Sequence, residues 1–90
     1  MNFVNTDILQ LMKRFKFFTT QGCHLCEQAN NLVDELHNRY NFEMEIVDIS
    51  TEENLVKKYG LIIPVLLNIE NNELLCWPFD RDGVINLLID

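Results

Sequence analysis

A switch of hydrophobic period near residue 20 constrains this chain more than any other feature. From Arg14 to Thr19, Phe15, Phe17 and Phe18 are strand formers. Thr20-Gln21-Gly22 breaks that run. After Cys23 the period becomes helical. Leu25, Ala29, Leu32, Val33, Leu36 and Tyr40 make one apolar stripe, while Glu27, Gln28, Asn31, Asp34, Glu35 and Asn38 fill the other face. Phe42 to Ile49 then alternates Phe42, Met44 and Ile46 against Glu43 and Glu45, a strand pattern. A strand–helix–strand unit of this kind requires parallel strands and a right-handed crossover.

The remainder adds a second helix, a hairpin and a last helix. Ser50-Thr51-Glu52-Glu53 reads as a capping box, with Ser50 accepting from the backbone N–H of Glu53. The helix it opens carries Leu55, Val56 and Tyr59, has Lys57 and Lys58 in its last turn, and stops at Gly60. Ile63 to Ile69 and Glu73 to Trp77 are predicted strands, joined through Asn71-Asn72, because Asn tolerates positive φ. Pro78 ends the second strand. Asp80 or Asp82 then caps a helix bearing Val84, Ile85, Leu87, Leu88 and Ile89. At the other end, Thr6 is placed to cap a short helix containing Asp7, Ile8, Leu9, Leu11 and Met12. The predicted class is α/β, a mixed four-stranded sheet flanked by helices.

Ninety residues make one domain. With 7 Lys+Arg against 14 Asp+Glu, the net charge of −7 argues against a nucleic-acid partner. The cluster Lys13-Arg14-Lys16 is too small to reverse this. No apolar run reaches the roughly 20 residues of a membrane span. The longest, Leu61 to Leu67, is interrupted by Pro64. Met1 to Met12 has neither the basic start nor the cleavage site of a secretory signal. Three cysteines do not form a paired disulfide framework, so a cytoplasmic location is expected.

The chemistry concentrates in Gly22-Cys23-His24-Leu25-Cys26, where strand turns into helix. A helix N-terminus offers unpaired N–H donors and partial positive charge, so a Cys23 thiolate is stabilised there. The spacing puts both sulfurs within one turn, close enough to close a disulfide. Cys23 is the expected exposed nucleophile and Cys26 the resolving thiol. Gly22 allows a tight turn and close approach of a partner chain. Half a zinc site has the same spacing, but completing it takes two more ligands. His24, His37 and Cys76 are the only other Cys or His, and they form no second pair, so no metal is expected. His24 reads either as a cation favouring the thiolate or as a solvated bystander. His37 is expected on the surface near a helix C-terminus, Cys76 as a buried small apolar residue, and Asp48 in a capping or solvent role rather than a catalytic one.

The segment Phe18 to Ala29, with Cys23-His24-Leu25-Cys26 at its centre, resembles the active-site region of small glutaredoxin-like bacterial proteins of the thioredoxin fold. The similarity continues through Tyr59 to Leu66 and Leu75 to Asp80. It covers residues 14–90, which leaves residues 1–13 as an N-terminal extension. The resemblance implies a thiol–disulfide oxidoreductase in which the Cys23–Cys26 dithiol reduces or exchanges disulfides on a protein or a glutathione mixed disulfide. The alternative is a non-catalytic redox-sensing or protein-binding module on the same scaffold. It also implies that Pro64 follows a cis bond and that Ile63 and Pro64 lie beside Cys23 to pair with substrate. Trp77 and Asp80 are implied substrate contacts. No bound cofactor is implied, and glutathione enters as reductant or substrate. The implied state is a monomer away from membranes. The chain departs from true glutaredoxins in the middle of its Cys pair, in having Thr20 where a Lys is common, and in having Trp77-Pro78-Phe79 where a Gly-Gly passes under glutathione.

Overall fold

The computed structural model of the chain describes residues 13–89. The predicted helix at Thr6 to Met12 lies outside the described residues. Strand β1 (Lys13–Thr19) leads into helix α1 (His24–His37), which returns through β2 (Phe42–Asp48). A 3-10 turn (Ile49–Thr51) precedes α2 (Glu53–Tyr59), and the chain ends in a hairpin of β3 (Val65–Asn68) and β4 (Leu74–Cys76) followed by α3 (Arg81–Ile89). The sheet order is β2-β1-β3-β4. β1 and β2 are parallel; β1–β3 and β3–β4 are antiparallel. This is the thioredoxin-like α/β architecture that the resemblance implied.

Strand alternation distributes the core over both faces of the sheet. Phe15 and Phe17 of β1 and Leu66 of β3 point to the face covered by Val33 and Leu36 of α1 and Val84 and Leu87 of α3. Phe18 and Val65 point the other way, toward Ile49 and Tyr59. Phe18 stacks on Tyr59 at a ring separation of 4.2 Å. One polar side chain is fully buried among the described residues. Asn68 donates from Nδ2 to the Leu87 carbonyl at 3.4 Å and accepts from the Glu70 N–H at 2.9 Å, so it ties α3 to the end of β3. An exposed Arg81–Glu35 ion pair links α3 to α1.

Several local expectations are corrected. The capping box does not form. The chain makes a 3-10 turn after β2, so the residue at the start of α2 is Glu52, whose side chain caps nothing. Asp48 caps the turn instead, accepting from the Ser50 N–H at 3.0 Å. Gly60 stops α2 in a right-handed conformation (φ −56°) rather than a left-handed one. A Cβ there would stand 2.5 Å from the Val56 carbonyl oxygen, so close approach is what demands glycine. Cys76 is exposed, not buried, because it lies on the short edge strand β4. Tyr40 lies beyond the end of α1 and is 36% exposed, although the helical period included it. His37 is on the surface as expected, and its ring stacks on Phe42 while Nε2 lies 2.7 Å from the Phe42 carbonyl oxygen. The hairpin turns at Asn72, whose φ is 62°.

Candidate active site

The site forms where β1 ends and α1 begins. Gly22 has φ +74°, a conformation that side-chain-bearing residues adopt at a cost, and a Cβ there would meet nothing within 4 Å. The backbone, not the space, therefore calls for glycine. Cys23 follows in an extended conformation as the N-cap of α1. Its Sγ accepts from the Cys26 N–H at 3.1 Å, and its carbonyl accepts from the Glu27 N–H at 3.1 Å. A cysteine sulfur thus occupies the place where Ser, Thr or Asp ordinarily satisfies a free helix donor. A thiolate at the same atom gains from that N–H and from the helix dipole.

Cys23 and Cys26 are disulfide-bonded, with Cα atoms 5.2 Å apart. Cys23 is half-buried and Cys26 is 3% exposed, packed under the first turn of α1. The N-cap cysteine is therefore partly open to solvent, and the cysteine within the first turn is shielded.

The loop before Cys23 is fastened to the end of β2. The Thr20 hydroxyl donates to Asp48 Oδ1 at 3.1 Å, the same oxygen that accepts from the Ser50 N–H and, at 2.8 Å, from the Ser50 hydroxyl. The Ser50 backbone N–H, then its hydroxyl, then Thr20 hold the Asp48 carboxyl below its ordinary value of 3.8. Asp48 is thus a cap, as expected, and also anchors the active-site loop, which sequence reasoning did not foresee. The parallel register places Thr19 beside Asp48 and makes that bond possible.

A groove of about 380 Å³ opens beside the disulfide. Gly22, Cys23 and Cys26 line it together with Phe17 and Ile46 and the polar residues Gln21, Glu27 and Asn30. Ile46 stands next to Phe17 in register yet is 60% exposed. In the sequence Glu27 is one of several polar residues on a helix face, Ile46 is part of a strand alternation, and Asn30 carries no signal of its own. Their convergence depends on where α1 crosses the sheet, which periodicity does not report.

The other expected site residues are placed elsewhere. His24 is exposed on the first residue of α1, outside the groove lining. Pro64 follows a cis bond, as the resemblance implied, and is fully buried at the start of β3. Since Phe18 pairs with Val65, Pro64 lies at the end of the sheet from which the Cys23 loop departs. Its carbonyl accepts from the Trp77 N–H at 3.2 Å. Ile63 packs against the Phe18–Tyr59 cluster. Trp77 packs edge-to-face on Phe79, with ring centroids 5.0 Å apart. Asp80 caps α3, its Oδ1 accepting from the Gly83 N–H at 2.8 Å. With Pro78 and Phe79 it lines a second concavity separate from the groove. Among the described residues no three His, Cys, Asp or Glu side chains are grouped as a metal site, and no helix is long and apolar enough to cross a membrane.

Comparison with known proteins agrees with this geometry. In solved structures the chain is similar to protein XcR50 from X. campestris, with 28% identity, a TM-score of 0.71, and coverage of 83% of this chain and 95% of that one. It is also similar to protein Ne2328 from Nitrosomonas europaea, with 27% identity, a TM-score of 0.72, and coverage of 84% and 91%. A malarial protein at 19% identity and a TM-score of 0.67, with coverage of 87% and 93%, shares the fold. No curated protein matches the chain. The model of the Glutaredoxin-like domain (DUF836) matches residues 14–89, nearly all of the described structure. With its Cys23–Cys26 pair at the head of α1, this chain belongs to the glutaredoxin-like domain family, whose thioredoxin-like fold points to a redox-related function.

Proposed function

We propose that the protein is a thiol–disulfide oxidoreductase that reduces or exchanges disulfides on protein substrates or glutathione mixed disulfides in the cytoplasm. The observation that carries this reading is the asymmetry of the pair: a half-buried Cys23 at a helix N-cap and a buried Cys26 one turn in. In the reduced form the Cys23 thiolate attacks one sulfur of the substrate disulfide. A mixed disulfide forms and the other substrate sulfur leaves as a thiolate. Cys26 gives up its proton and its sulfur attacks Cys23 Sγ. The Cys23–Cys26 bond closes and the second substrate thiolate is released and protonated. Two electrons pass from the cysteine pair to the substrate. A thiol reductant such as glutathione, or a dithiol reductase, then returns them, and no bound cofactor or metal enters the cycle. His24, beside Cys23, favours the thiolate when protonated, while Ile63 and Pro64 offer backbone to an extended substrate. Trp77 and Asp80 act as outer contacts for the substrate chain.

Catalytic reduction of insulin or of a glutathione mixed disulfide tests the reading. Cys23→Ser is expected to abolish turnover, and Cys26→Ser to retain attack but accumulate the mixed disulfide. Turnover that survives Cys23→Ser would refute the assignment. A stoichiometric complex in one redox state without turnover would support the binding module instead.

A further inference from the structure

We infer that the groove on the β2 side of the disulfide is a specificity site for substrate disulfides whose cysteine is flanked by a basic residue. This rests on the oxidoreductase reading and narrows its substrate class. Three observations carry it. The groove is lined by Cys23, the attacking residue of the proposed reaction, so a residue that flanks the substrate cysteine is within its reach. Its lining includes Ile46 of β2, an aliphatic side chain left 60% exposed while the neighbouring Phe17 of β1 is buried. Its only charged lining residue among those described is Glu27, and a second carboxylate, Asp48, stands behind the Thr20 hydroxyl that also lines it.

An exposed aliphatic side chain and a carboxylate lining one groove match the anatomy of Arg and Lys, which bury a methylene stem along apolar surface and keep the charged head at its end. An anionic flank would meet Glu27 at close range. The net charge of −7 acts in the same direction from a distance, favouring encounter with cationic partners. Glutathione disulfide, itself anionic, is thus the poorer occupant of this side.

The covalent step is unchanged: Cys23 Sγ bonds one substrate sulfur, the other leaves as a thiolate, and Cys26 closes the ring. Only the rate of attack depends on the flank. The test uses three short blocked peptide disulfides with Arg, Ala or Glu beside the cysteine, reacted with the reduced full chain in single turnovers. The Arg peptide is expected to react about tenfold faster than the Glu peptide, a ratio within reach of local charge complementarity. Glu27→Gln should reduce that ratio to about threefold, and added salt should compress it in the unaltered protein. Glu43→Gln removes the same charge on β2 outside the groove and should leave the ratio in place. A ratio that Glu27→Gln leaves unchanged, or that Glu43→Gln lowers equally, overturns the groove assignment while the oxidoreductase reading stands. Failure of all three peptides to react overturns both.

Discussion

On one face of the sheet, among the described residues, eleven side chains from α1, α3, the strands and the loop before α3 close into a single buried cluster, whereas on the other only Phe18, Ile49, Tyr59 and Val65 do so. The elements match their faces. α1 buries Cys26, Ala29, Val33 and Leu36, but α2 buries only Tyr59 and leaves Val56 46% exposed. The redox pair belongs to the thick face. Cys26 is the first buried residue of the stripe that seats α1, so the helix that presents Cys23 is positioned by most of the core. The thin face carries the loop from Gly60 to Pro64, in which Leu61 is fully exposed. The helix that carries the cysteine pair is thus seated on the larger cluster, and the Gly60–Pro64 loop on the smaller one.

Truncations on the two faces should break this contrast if it is wrong. Leu36→Ala is expected to lower the unfolding free energy by about 3 kcal/mol, as deletion of a fully buried leucine does. Asn68→Ala leaves the Glu70 N–H and the Leu87 carbonyl without their partner at the same core, for a loss of about 2 kcal/mol. Leu55→Ala on the thin face should cost about 1 kcal/mol, because the side chain is only half-buried. Denaturant titration of the three variants checks the order; equal losses for Leu36→Ala and Leu55→Ala would remove the contrast.

Asp48 joins the turn on the thin side to the active-site loop, and its carboxyl is held below 3.8 by the Ser50 N–H. A depressed carboxylate stabilises the fold above its unfolded value. That contribution fades as pH falls through 3.8 and below, when the folded carboxyl takes up its proton. Asp48→Asn should therefore melt below the unaltered protein at neutral pH, and the gap should narrow in strong acid. A gap that is constant with pH would assign the loss to packing. The smallest expected effect is electrochemical. On the role proposed for His24, His24→Ala should make the disulfide more reducing by roughly 15–30 mV, read in a thiol redox buffer.

Most of the sheet was legible in the sequence because its strands and helices differ in period. The switch after Gly22, the alternation of β2 and the stripe of α1 each report one element's burial, and the architecture follows from their order. The Cys pair was legible for a related reason: its chemistry depends on position at a strand–helix junction, which the same switch marks. Features set by register or crossing geometry were not legible. The Thr20–Asp48 bond spans two strands, the exposure of Ile46 depends on how far α1 reaches across β2, and Cys76 is exposed because β4 is a short edge. Gly60 was recognised as a stop, but for a carbonyl contact that no local pattern displays.

The sheet order has a consequence for the protein at high concentration. Among the described residues β2 and β4 are the outer strands, and an outer strand presents backbone groups that another chain could pair with. β4 is three residues long, too short to template much. β2 is seven residues long, and it carries Glu43 and Glu45 opposite Arg14 and Lys16 of β1. Two copies meeting along β2 would bring these carboxylates together and leave both basic partners one strand away. The pattern of β2 therefore opposes growth of the sheet from molecule to molecule, and guards against fibrous aggregation beside an active site that must stay open.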